Sequence, residues 1–271
     1  MTKRLNITLV VIVISLISFL NITYAETNKA PKKPRASFPK HIALSPPFNH
    51  WNSCDLVLLL YPGYNCETGN INEKEVGSIE EATIWKEGGK EHLLMLFEKS
   101  VIGAEKLSLA KAGKQVDIAM YDISGKELTL TAFSKDVISY RRYGSSYFDL
   151  APYRLSSTEE GVGVRVSPGI GGTDTIEELY LFRVKGSVFQ EVFARDMVDT
   201  EYYSGYEDLS SKLRRNSTLQ IIPKASGMND LKIVTRYYRF DDGGQEEKEI
   251  VKTTSEIWRW DENSQKYQLS R

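Results

Sequence analysis

The residues whose types and spacing could carry chemistry are few. The three histidines are His41, His50 and His92. The first two sit in or beside a proline-rich stretch and the third lies inside a strand pattern, so none has an evident nucleophile or orienting carboxylate beside it. Neither a Gly-x-Ser-x-Gly elbow nor a His-Glu-x-x-His helix occurs. Gly169-Ile170-Gly171-Gly172 is glycine-rich, but it lacks the lysine and the following helix that a phosphate loop needs, and it reads as a loop between strands. Glu159-Glu160 and Glu177-Glu178 are adjacent acids. Neighbours on a strand point to opposite faces, so neither pair is itself a glycosidase dyad. Carboxylates that meet only in space stay open as a second route to hydrolysis. A calcium loop alternates Asp or Asn at positions one, three and five because a hard cation needs converging oxygens. Asp261-Glu262-Asn263-Ser264-Gln265 has the first two only, and Asp241-Asp242-Gly243-Gly244-Gln245-Glu246-Glu247 is acidic with the wrong spacing. Both read as solvated hairpin tips. The expectation is no catalytic residue, no metal ligand set and no cofactor.

Recognition is the chemistry that the remaining side chains favour. Tyr140, Arg141, Arg142, Tyr143 and Tyr147 crowd a turn-rich segment running from Ser139 to Phe148, and Tyr202, Tyr203 and Tyr206 form a second cluster. Tyrosine offers a rigid apolar body with a polar tip and loses little entropy when it is fixed. Sugar rings stack on such aromatics, and arginine pairs with anionic polymers. These eight residues are the candidate binding contacts. The competing reading is that several of the tyrosines pack across strands, where aromatics are common.

Cys54 and Cys66 enclose Asp55 to Asn65, and Pro62-Gly63 between them is a turn signal that brings the chain back on itself. A structural disulfide is expected. Closing so short a loop stabilises by roughly 2–3 kcal/mol in the chain-entropy model. A redox pair would call for Cys-x-x-Cys spacing, which is absent.

The compartment follows from the other end of the chain. Lys3 and Arg4 precede a nearly continuous Ile, Leu and Val run from Ile7 to Leu20, and Thr23 and Ala25 are small residues three and one positions before Glu26. This is the layout of a secretory signal peptide over residues 1–25, cleaved after Ala25. The run is shorter than the ~20 residues a spanning helix needs, so no stable membrane insertion is expected after cleavage. Residues 26–48 form a linker. Pro31, Pro34, Pro39, Pro46 and Pro47 deny it regular structure, and Lys29, Lys32, Lys33, Arg35 and Lys40 make it basic. The chain carries 35 basic against 36 acidic residues, and loss of Lys3 and Arg4 leaves 33 against 36. So even a balance lacks the basic footprint of a nucleic-acid binder. Hydrophobic residues at 41% and aromatics at 11% exclude wholesale disorder in the 271-residue chain.

The elements that must position any site are strands. Gln115–Tyr121 and Leu128–Phe133 alternate about Ser124-Gly125-Lys126, as a hairpin does. Leu179–Val184 turns at Lys185-Gly186 into Val188–Phe193, and Glu256–Trp260 turns at Asp261–Ser264 into Tyr267–Leu269. A weaker hairpin surrounds Gly88-Gly89, and Val162–Val166 and Leu231–Phe240 are further strands. A short helix is expected over Tyr206–Arg215, with acids early and bases late. Residues 49–271 are therefore expected to form one all-β domain, an antiparallel hairpin meander with one or two short helices. It can close as a propeller-like ring, roll into a barrel or stack as a sandwich. The turn glycines are unevenly spaced, which argues against a regular array.

Together these readings predict an exported, non-enzymatic binding protein of the bacterial cell envelope or exterior, recognising a glycan, wall polymer or protein partner. The alternatives are a secreted hydrolase of glycan or peptide with dispersed carboxylates, and a secreted enzyme inhibitor.

Overall fold

The computed structural model describes residues 53–101, 113–125, 127–140, 144–167, 176–201, 212–240 and 249–270. The expected signal peptide and linker lie outside them. One helix, α1 (Ser53–Leu60), precedes strands β1 (Glu75–Glu87), β2 (Lys90–Val101), β3 (Lys114–Ser124), β4 (Glu127–Tyr140), β5 (Ser145–Arg154), β6 (Glu160–Ser167), β7 (Glu177–Lys185), β8 (Val188–Glu201), β9 (Lys212–Ile222), β10 (Asp230–Phe240), β11 (Glu249–Asp261) and β12 (Lys266–Leu269). The fold is all-β. Within each sheet every strand pairs antiparallel with its neighbour in sequence, in a four-stranded sheet β1–β4 and an eight-stranded sheet β5–β12, with β4 and β5 not paired to each other where the chain passes between the sheets. Neither sheet closes on itself, so of the expected architectures the barrel is excluded and the sheets stack.

The stacking follows from which faces are apolar. On β3, Val116, Ile118 and Met120 face one way while Asp117, Ala119 and Tyr121 face the other, and all six are buried. A sheet apolar on both faces needs a cover on each side. One cover is the β5–β8 half of the large sheet, whose Phe148, Val162, Val164, Val166, Phe182 and Phe189 join the first set in a shared core. The other is α1, whose Leu56, Val57 and Leu60 pack with Tyr61 on Leu93, Met95, Phe97 and Tyr121. A third core lies inside the large sheet. Leu179, Leu181 and Phe193 of β7 and β8 pack with Leu231, Ile233 and Tyr267 of β10 and β12. The fourteen-residue β8 allows this fold-over, pairing with β7 up to Val198 and with β9 from Val198 to Glu201.

All four expected hairpins are present. At Gly88-Gly89 both residues have positive φ (56° and 84°), as a two-residue hairpin loop demands. One reading of the sequence needs correction. Residues 212–215 of the expected 206–215 helix are strand, opening β9; residues 206–211 lie outside the described set. The register explains it. Leu219 and Ile221 pair with Ile233 and Leu231, and that apolar seam holds the preceding polar residues extended against β10. The segment from Ser53 to Leu60, for which the sequence predicts no element, forms the helix, and the expected turn follows it at Pro62-Gly63.

The registers also give each sheet a polarity. Tight turns at Gly88-Gly89 and Gly125 close one end of the small sheet, and one at Gly186-Ser187 closes an end of the large sheet. The strand ends that flank residues 141–143, 168–175, 202–211 and 241–248 lie together at the other, because Ser145 pairs with Ser167, Glu177 with Val198, Glu201 with Leu213 and Arg239 with Glu249.

Candidate functional site

At this second end the face of β5–β7 that forms the third core changes from apolar to polar. Val162, Val164 and Val166 turn one face of β6 into the first core, so Arg165 takes the opposite face, directly across from Tyr147 on β5. Its guanidinium is held on two sides. Arg165 Nε donates to Asp149 Oδ2 at 2.5 Å, and Nη1 donates to Glu177 Oε1 on β7. The Tyr147 hydroxyl donates to Glu177 Oε2 at 2.8 Å, and the Tyr153 hydroxyl to Asp149 Oδ2 at 2.8 Å. The result is a chain of charge-assisted bonds, Tyr147–Glu177–Arg165–Asp149–Tyr153, in which every rotamer has a partner.

Local backbone makes the chain possible. Residues 150–152, including Pro152, bulge out between the Asp149–Gly163 and Tyr153–Gly161 pairs. The bulge swings Tyr153 back over β6, where Gly163 leaves space for its ring. Proline and the bulge also blunt β5 as the free edge of the large sheet.

The electrostatics suit holding, not proton transfer. Burial alone would raise the Asp149 carboxyl, but hydrogen bonds from Arg165, Tyr153 and the Ala151 amide bring it below the usual carboxylate range. Desolvation of its hydroxyl end, with the bond to Glu177, pushes the Tyr147 phenol up to about 12. Arg165 is held charged by its two carboxylates despite its partial burial. A glycosidase acid must keep its proton near neutral pH. Asp149 does the reverse.

Of the two candidate contacts among the described residues, Tyr147 is the exposed one, at 40%, with Leu150 also exposed on the same strand. Tyr140 is different. It is 7% exposed and belongs to the first core, its hydroxyl 3.5 Å from Ser146 Oγ, which itself donates to Glu98 Oε1 at 3.0 Å. That is the cross-sheet packing weighed against recognition. Arg141, Arg142, Tyr143, Tyr202, Tyr203 and Tyr206 lie outside the described residues. Sequence reasoning missed Asp149, Arg165 and Glu177 as partners of Tyr147. The alternation Val-Gly-Val-Arg-Val in β6 does place Arg165 away from the valines, but only the register shows which residues stand opposite.

Cys54 and Cys66 form the expected disulfide, with Cα atoms 5.6 Å apart. His92 is buried beside Trp85 and bonded to Asp122 Oδ1 at 2.7 Å, a satisfied core histidine. Among the described residues no cluster of three or more His, Cys, Asp or Glu side chains is arranged to hold a metal, and no helix is long and apolar enough to cross a membrane. Comparison with known proteins matches the chain to no family model, no curated protein and no solved structure.

Proposed function

We propose that this chain is an exported, non-enzymatic binding protein of the cell envelope or exterior, and that it takes a neutral glycan on the β5–β7 surface. The observation that carries the reading is Tyr147, exposed at this surface and tied at its hydroxyl to Glu177. An aromatic held in place before the ligand arrives loses little entropy on binding. Carboxylates that keep acceptor capacity beside it match the hydroxyl edge of a sugar stacked on it. The signal-like N-terminus and the disulfide support export, since disulfides persist in oxidising compartments.

Charge narrows the ligand. Arg165 is occupied by Asp149 and Glu177, so this cluster carries two acids against one base and repels a polyanion. The arginine-with-anionic-polymer idea therefore loses to neutral sugars here.

The test is affinity electrophoresis or calorimetry of the mature chain against cello- and chito-oligosaccharides, with alginate as the anionic comparison. Tyr147→Ala should weaken the neutral-sugar interaction at least about tenfold, some 1.4 kcal/mol. Tyr147→Phe, which keeps the ring, should retain most of it. Wild-type binding to alginate alone, or equal binding by Tyr147→Ala, would contradict the proposal.

A further inference from the structure

A second charged cluster, unrelated to the β5–β7 surface, lies under α1 on the other face of the small sheet. Lys99 of β2 is 5% exposed, and its Nζ sits 2.8 Å from Oδ1 of Asp117 on β3, which is 0% exposed. The same Nζ is 2.7 Å from Oδ1 of Asp136 on β4, whose side chain is 48% exposed. Asp136 reaches this place through a bulge. Val116 pairs with Ile138 and Ile118 with Ser134, so residues 135–137 all stand opposite Asp117. Asp136 takes a positive φ of 56°, and its amide donates to Asp117 Oδ1 at 2.8 Å. The Tyr61 hydroxyl donates to Asp117 Oδ2. The Tyr61 ring packs against Phe97 and Phe133, and the Lys135 ammonium lies 4.6 Å from its centroid.

The geometry points to a covalent modification: Lys99 and Asp117 condense into an intramolecular amide that staples β2 to β3. At rest the site is an ion triad. Burial works against the Lys99 ammonium, and its hydrogen bonds to Asp117 and Asp136 hold it charged. Condensation starts when one ammonium proton passes to the Asp136 carboxylate, 2.7 Å away. As Asp136 hands that proton on to Asp117 Oδ1, the neutral amine attacks Asp117 Cγ, then the carbon of an acid and no longer of an unreactive carboxylate. The phenol of Tyr61, which burial keeps protonated, stabilises the oxygen that gains charge. The C–N bond forms, the C–Oδ1 bond breaks, and the two protons that nitrogen sheds end on the departing oxygen. One water leaves past half-exposed Asp136, which returns to a carboxylate. One ammonium and one carboxylate become one neutral amide, with no oxidant and no other reactant.

Two physical terms favour the product. Groups fixed in contact react with effective molarities on the order of 10⁵ M and above, which offsets the poor yield of amide condensation between free partners in water. A buried ion pair also carries a desolvation cost that a neutral amide does not. Asp117 is the acceptor because its carboxyl is dry, so the finished bond is shielded from hydrolysis. Asp136, open to solvent, serves as the proton carrier.

The experiment is mass spectrometry of the purified mature chain, reduced and denatured, followed by tryptic mapping. The expected result is a chain lighter than its sequence by one water. Cleavage after Lys99 should be blocked, and peptide 91–106 should be joined to peptide 115–126. Lys99→Arg, which keeps the charge but cannot make this bond, should have the full sequence mass. A wild-type chain at full mass with free peptides 91–99 and 115–126 would overturn the inference. So would a water loss that maps anywhere else, including Asp136.

Discussion

At position 163 a methyl group would stand 2.5 Å from the Tyr153 ring and 2.7 Å from the Asp149 carbonyl oxygen. Backbone on one side and a buried ring on the other leave it no room. Gly163→Ala should therefore destabilise by about 1–3 kcal/mol, read as a lower denaturant midpoint with an unchanged m-value. It should weaken sugar binding as well, because Tyr153 and Asp149 brace Arg165. Asp149 makes a separate prediction. Its folded pKa lies below the unfolded value, so its contribution to stability is complete above about pH 4 and fades as pH falls through the lower folded value. Asp149→Asn should lower stability at pH 7 and flatten the acid limb of the stability curve. Identical wild-type and Asp149→Asn profiles from pH 7 to pH 2 would show that the carboxylate contributes nothing.

At the scale of elements, α1 is short for a helix and leans on its surroundings. Eight residues are too few to be stable alone in water. Leu56, Val57 and Leu60 bury against the small sheet, and the Cys54–Cys66 bond ties the helix to the turn after it. Replacing both cysteines with serine should cost about 2–3 kcal/mol in thermal or denaturant unfolding. A loss near zero would mean that the apolar face alone seats the helix. The same helix shows where sequence reading stopped. Val57–Leu60 is a short apolar run beside a Pro-Gly turn, and periodicity does not separate a buried helix turn from a strand in so few residues. The hairpins were legible because local chemistry marks them, with alternation on both arms and a turn residue between. The site was not. Tyr147 stood out by type, but Arg165 and Glu177 became its neighbours only through registers spanning residues 145–167 and 162–182. Tyr140 shared its segment and its type, yet it follows Ile138 on the inward face of β4, with Ser139 exposed between them, and so enters the first core.

At the scale of the whole molecule, tyrosine is a structural residue as much as a surface one. Tyr61, Tyr121, Tyr153, Tyr180 and Tyr267 spread across all three cores or their margins, and burial raises each phenol well above its ordinary value of 10. A raised folded pKa leaves stability intact below about pH 10, where the unfolded chain would start to ionise, and erodes it as pH climbs further. Phenolate absorbance should rise in step with the loss of near-ultraviolet circular dichroism, as one alkaline transition. Smooth ionisation of all the tyrosines with the fold intact would contradict the cores described here. In the large sheet one end carries the tight turn at Gly186-Ser187, and at the other strand ends and polar side chains gather, where the proposed recognition surface lies. Hydrogen–deuterium exchange of the chain from Glu26 onward, with and without a saturating cello- or chito-oligosaccharide, is the most direct test of that proposal. Protection is expected only in the peptides of β5, β6 and β7 that carry Tyr147, Arg165 and Glu177. Protection confined to the turn end or to α1, or none at all, would contradict it.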